Sequence, residues 1–124
     1  MSIPNIPMRE PTYFVLASLL DGPLHGYAII KRAEGLSHGR VRLATGTLYT
    51  ALDRLAGEGY VRLVSEEIVS GRTRRSYGLT EAGTAALQAE ASRMTEAASV
   101  VTRARPAASQ SWGARPAGRK VRPA

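Results

Sequence analysis

Residues 46–83 read GTLYTALDRLAGEGYVRLVSEEIVSGRTRRSYGLTEAG. In the first part Leu48, Leu52 and Leu55 stand at i, i+4 and i+7 with Ala51 beside them, which predicts a helix from about Thr45 to Glu58. Gly59 closes it, because the left-handed backbone that ends a helix costs glycine little. The period then changes. Residues 60–69 (YVRLVSEEIV) and 76–79 are β-branched and alternating, and the polar SGRTRR between them reads as a turn, so the pair is expected to form a β-hairpin. Thr80-Glu81 has the chemistry of a helix start, with a hydroxyl to cap free N–H groups and an acid near the positive helix end.

Upstream, Pro4, Pro7 and Pro11 mark residues 1–11 as an irregular arm. From Thr12 the chain reads TYFVLASLL, an apolar helix stopped by Asp21-Gly22-Pro23. A second helix is expected from Leu24 to about Leu36, where Tyr27, Ile30 and Ala33, and Ile29, Ala33 and Leu36, recur at three- and four-residue steps. Val41-Arg42-Leu43 alternates and reads as one very short strand. The last helix should run to about Arg103, since Pro106 cannot continue it. Three compact helices, a hairpin and a long helix give a mainly α fold with a small β-hairpin: a winged helix-turn-helix at 12–79, followed by a C-terminal helix at 80–104 and a tail at 105–124.

The chain has 124 residues and is 44% hydrophobic, which suits one small domain. The apolar run Tyr13 to Leu20 is far short of the ~20 residues a membrane helix needs. It follows Glu10, with no basic segment before it and no small-residue cleavage site after it, so neither membrane insertion nor a secretory signal is expected. The absence of cysteine excludes disulfides, thiolate metal sites and a cysteine nucleophile, and suits the cytoplasm. Charge is unevenly placed. The net charge is +7, but residues 105–124 carry Arg105, Arg115, Arg119, Lys120 and Arg122 and no acid, leaving +2 for the rest. Trp112 and Val121 are the only large apolar side chains in that tail, too few to offset chain entropy, so it reads as a disordered basic segment adding non-specific nucleic-acid affinity.

Catalysis finds little support. His25 and His38 are the only histidines and have no metal-ligand spacing, and there is no nucleophile elbow and no phosphate loop. Glu66 and Glu67 are neighbours on a strand and so point to opposite faces. Neither an enzyme, a metal site nor a cofactor is expected.

The third helix is different. On a helical wheel, Gly46, Tyr49, Thr50, Asp53 and Gly57 lie opposite the leucine face, with Arg54 at the edge. Gly46 permits close backbone approach, and the first-turn N–H groups are free for a phosphate. Thr45, Thr47 and Thr50 can donate to phosphates or base edges, and Tyr49 can donate or stack. Any surface helix has a polar face. The nearby Arg72, Arg74 and Arg75 favour DNA, because arginine forks match phosphates and fit a narrow minor groove.

The blocks GPLHGYAIIKRAE (22–34), GTLYTALDRLAGEGYV (46–61) and GRTRRSYGLTEAG (71–83) resemble the PadR family of bacterial transcriptional regulators, in order and spacing, over about residues 12–100. The chain is similar to the shorter branch, which has a single C-terminal dimerisation helix. The resemblance implies a homodimer, usually a repressor, with the third helix in the major groove of double-stranded DNA. Thr45, Gly46, Thr47, Tyr49 and Thr50 would then sit at the groove, and Arg72, Arg74 and Arg75 would form the wing contact. It also implies a small apolar effector held near the dimer interface. The alternative is a winged-helix adaptor that binds a ligand or protein without reading an operator.

Leu87, Ala91, Met94, Ala98 and Val101 are spaced four, three, four and three, a heptad-like seam. It is alanine-rich and buries modest area, so the first helix is expected to add to a dimer interface through some of Tyr13, Phe14, Leu16, Ala17 and Leu20. Two-fold symmetry would present two third helices to a pseudo-palindromic site.

Overall fold

The computed structural model describes residues 8–104. The expectations for residues 1–7 of the arm and for the basic tail at 105–124 lie outside the described residues. The elements in order are α1 (Glu10–Ala17), β1 (Leu24–His25), α2 (Gly26–Leu36), α3 (Thr45–Gly57), β2 (Val61–Val69), β3 (Arg72–Leu79) and α4 (Glu81–Thr102). Among the described residues, 8–91 form one compact unit, and a second begins at Ser92 within α4.

α1 starts earlier than the apolar run suggested. Pro11 sits in its first turn, where a missing N–H leaves no bond unmade and the fixed φ suits a helix. It also ends earlier. Leu19 and Leu20 donate their N–H groups three residues back, to Leu16 and Ala17 at 3.0 and 3.1 Å, and the hydroxyl of Ser18 donates to the Val15 carbonyl at 2.6 Å. This tight turn keeps Leu19 in the core and leaves Leu20 exposed.

The expected strand at Val41-Arg42-Leu43 does not form. Val41 is buried, but its N–H donates to the Ser37 hydroxyl at 2.9 Å instead of to a strand. The extra strand is at Leu24-His25, which the helical spacing had assigned to α2. It pairs antiparallel with β3, Leu24 opposite Tyr77 and His25 opposite Ser76. The sheet therefore has three strands in the order β1-β3-β2.

The hairpin is longer, and its turn shorter, than SGRTRR suggested. Ser70 and Gly71 both have positive φ, 53° and 78°, and Val69 pairs with Arg72 across them. Two left-handed residues in succession make the compact turn whose twist matches that of the strands. The arginines consequently belong to β3 and not to a loop. A bulge at Val64 breaks the register between Leu63–Tyr77 and Ser65–Ser76. Val64 then covers Gly78, whose missing Cβ would lie 3.1 Å from the valine Cγ2.

The core joins Val15, Leu16 and Leu19 with Ile29 of α2, Leu48, Leu52 and Leu55 of α3, Val61, Tyr77 and Leu87. Burying each large aliphatic side chain contributes roughly 1.5–3 kcal/mol. α4 is rooted in this unit. Thr80 caps it as expected: the Gly83 N–H donates to the Thr80 hydroxyl oxygen at 2.9 Å, while that hydroxyl donates to the Gly59 carbonyl at 2.5 Å. Leu87 is only 4% exposed. It packs within its own chain, which removes it from the seam that the heptad spacing proposed.

Candidate nucleic-acid interface

α3 buries Leu48, Leu52 and Leu55 and turns Thr45, Gly46, Thr47 and Thr50 outward. Its N-cap is Ala44, extended and without a side-chain oxygen, so no side chain caps the first turn. A shallow open depression runs along the helix, lined by Gly46, Thr47, Thr50, Ala51 and Arg54. Hydroxyls and free backbone donors on a convex helix suit the edges and phosphates of a duplex.

Tyr49 and Arg54 are less free than the wheel implied. The Tyr49 ring is half-buried against the core and stands 6.5 Å from that of Tyr77. Its hydroxyl end lies over Gly26, where a Cβ would meet the tyrosine Cζ at 2.9 Å. Arg54 donates to the Thr12 hydroxyl at 3.2 Å and lies 3.7 Å from Glu58, tying α3 to α1. Tyr49 is turned toward α2 and the wing, and Arg54 braces two helices.

Strand register separates the three wing arginines. Arg74 is opposite Glu67 and Arg72 opposite Val69, so these two share one face, while Arg75 and its cross-strand neighbour Glu66 share the other. Arg75 donates to Glu66 at 2.9 Å, and this bond with its opposite charge raises the guanidinium pKa further. Arg72 and Arg74 have no ion-pair partner among the described residues. Burial pushes the Tyr77 phenol above its ordinary value, an effect Arg75 partly offsets.

Sequence reasoning missed a cleft of 330 Å³ between the start of α2 and the wing, bordered by His25, Gly26, Tyr27, Tyr49, Arg72 and Arg74. Its signal was Gly26, a glycine in the first turn of a helix with tyrosines at 27 and 49. The cleft brings α3 and the wing together through Tyr49, Arg72 and Arg74. Among the described residues no group of three acidic, histidine or cysteine side chains can hold a metal, and no helix is long and apolar enough to cross a membrane.

Comparison with known proteins adds to this geometry. Residues 15–89 match the model of the transcriptional regulator PadR-like family. The chain is 44% identical over 86 residues to an uncharacterized 37.1 kDa protein in transposon TN4556 of Streptomyces fradiae, covering 69% of this chain and 23% of that protein. It is 42% identical over 74 residues to the transcriptional regulator Rv3488 of Mycobacterium tuberculosis, covering 59% of this chain and 64% of the regulator. It therefore spans about a quarter of the first relative and under two thirds of the second. Among solved structures, Bacillus subtilis PadR in complex with operator DNA superposes with a TM-score of 0.57 at 24% identity, covering 64% of this chain and 46% of that one. At that identity the likeness is one of fold.

Proposed function

The chain belongs to the PadR-like family of transcriptional regulators, and from that premise we propose that it acts as a homodimeric, sequence-specific repressor on a pseudo-palindromic operator. The observation that carries this reading is the pairing of an outward polar α3 with a cleft bordered both by Tyr49 of that helix and by Arg72 and Arg74 of the wing. Thr45, Gly46, Thr47 and Thr50 read the groove. The wing arginines hold the backbone beside it. The operator complex of the Bacillus PadR, a protein of the same fold, supports the assignment of DNA as the partner.

Dimerisation is assigned to the later part of α4. Met94 and Val101, seven residues apart and so on one side of α4, are 43% and 74% exposed. Met94, Ala98 and Val101 keep the three- and four-residue spacing of a helix–helix seam without Leu87. The turn after α1 offers Leu20, which is exposed, more readily than α1 offers Tyr13 or Ala17, which pack partly against the core. A small apolar effector at that interface would release the DNA, in the cytoplasm where both meet.

Selection of bound sequences from a random duplex pool by the purified protein tests the reading. A symmetric enriched motif is the expected result. Recovery of unenriched sequence, or of nothing, overturns it in favour of an adaptor that has kept the fold without operator recognition.

A further inference from the structure

β2 is the outer strand of the sheet, so the edge of Val61–Val69 away from β3 has no strand beside it among the described residues. Residues 62–68 are all exposed, and they include the apolar Leu63, Val64 and Ile68, the last at 72%. Free edges are usually guarded by lysine, proline or a bulge. This strand has neither lysine nor proline. It does carry two charges of opposite sign, Arg62 and Glu67, that form no ion pair among the described residues.

The bulge decides what those charges can meet. In an unbroken strand, residues five apart point to opposite faces. The register shift at Val64 cancels this: Arg62 is opposite Gly78 and Glu67 opposite Arg74, four apart in β3, so Arg62 and Glu67 share a face. By the same pairing Val61, Leu63, Glu66 and Ile68 share the other, opposite Leu79, Tyr77, Arg75 and Thr73. A second copy of β2, turned about a two-fold axis between Val64 and Ser65, runs antiparallel to the first with every opposite pair on a matching face. Arg62 then stands opposite Glu67 of the second copy, at two places by symmetry. Leu63 stands opposite Glu66 and diagonal to Ile68, within reach of its side chain. Without the bulge, the same register would send each arginine and its glutamate to different faces.

We propose that the free edge of β2 is a docking surface for a second copy of this chain, in the antiparallel register that sets Arg62 opposite Glu67. This contact is separate from the seam on α4. A single strand pair covers little surface, so it is the weaker of the two and forms at high protein concentration. The contact does not depend on the DNA-binding reading. Only its use rests on that reading: to set neighbouring dimers side by side on one duplex.

The chain has no cysteine, so single introduced cysteines report the register. Full-length Arg62→Cys and Glu67→Cys proteins, each alone and then mixed, are oxidised mildly at high concentration without DNA. The mixture should form disulfide-linked pairs at least about tenfold faster than either protein alone, because each cysteine lies on the order of 15 Å from its own counterpart in this register. Growth beyond the smallest species is then followed by sedimentation across a concentration series. Arg62→Glu and Glu67→Arg should each weaken it about tenfold, by setting like charges opposite each other at two places. The double variant Arg62→Glu/Glu67→Arg restores the opposition in reverse and should recover it. Both positions are exposed, and melting curves check that each variant folds. No disulfide in the mixture, equal rates in the mixture and the separate proteins, or charge variants that associate like the wild type overturn the contact. So does a double variant no stronger than the singles. No DNA enters these assays, so their failure leaves operator reading standing, and failure of the duplex selection leaves the contact standing.

Discussion

Adding a Cβ at residue 26 places a carbon 2.9 Å from the Tyr49 Cζ and nearer still to its hydroxyl. The glycine is required by this close approach, since its backbone lies in a helix and needs no unusual φ. Gly26→Ala should cost about 1–3 kcal/mol in urea unfolding, the usual range for an overpacked contact. Adding Tyr49→Leu to the same chain should recover most of that loss, a coupling a double-mutant cycle measures directly. Tyr77 makes a second prediction. Its phenol is 6% exposed and its pKa is raised chiefly by desolvation. The folded state therefore holds the proton longer than the unfolded chain. The stabilising effect is complete below the ordinary tyrosine value of 10.0 and is lost as pH rises through the higher folded value. Tyr77→Phe should flatten the alkaline fall of the melting temperature and leave the neutral region parallel to wild type.

At the level of elements, α3 was legible because its three leucines share one face and a glycine with φ of 83° follows it. The cap of α4 was legible for the same local reason, a hydroxyl placed to reach an N–H three residues on. β1 was not legible. Two residues carry no periodicity, and Leu24-His25 is extended because Tyr77 and Ser76 lie beside it, a partner more than fifty positions away. The wing was half legible. Alternation located both strands, but the two-residue turn at Ser70-Gly71 extends β3 through the arginines, and only the register shows Arg75 facing Glu66. Leu87 shows the limit of spacing: the same heptad position serves a dimer seam or a core, and burial decides for the core. Thr80 supports a prediction at this scale. Thr80→Ala removes the hydroxyl that accepts from Gly83 and donates to Gly59, and should cost about 1–2 kcal/mol in chemical unfolding, mostly from the unmade cap.

For the whole molecule, the split of the seam yields opposite outcomes for two similar substitutions. Met94→Asp places a charge on the exposed apolar side of α4 and should give a folded monomer by light scattering, with its melting transition intact. Leu87→Asp buries an unpaired carboxylate and should abolish cooperative unfolding before any question of assembly arises. A Met94→Asp protein that stayed dimeric would move the interface off this helix. The two hydrogen bonds of the Thr80 hydroxyl have a mechanical meaning for the proposed dimer. One hydroxyl ties Gly59, just past the end of α3, to the first turn of α4 at Gly83. In the proposed dimer, whatever turns the base of α4 therefore turns α3 with it. A compound that shifts that base would then change the spacing at which two α3 helices meet the half-sites of the proposed operator, without touching a residue proposed to meet the duplex.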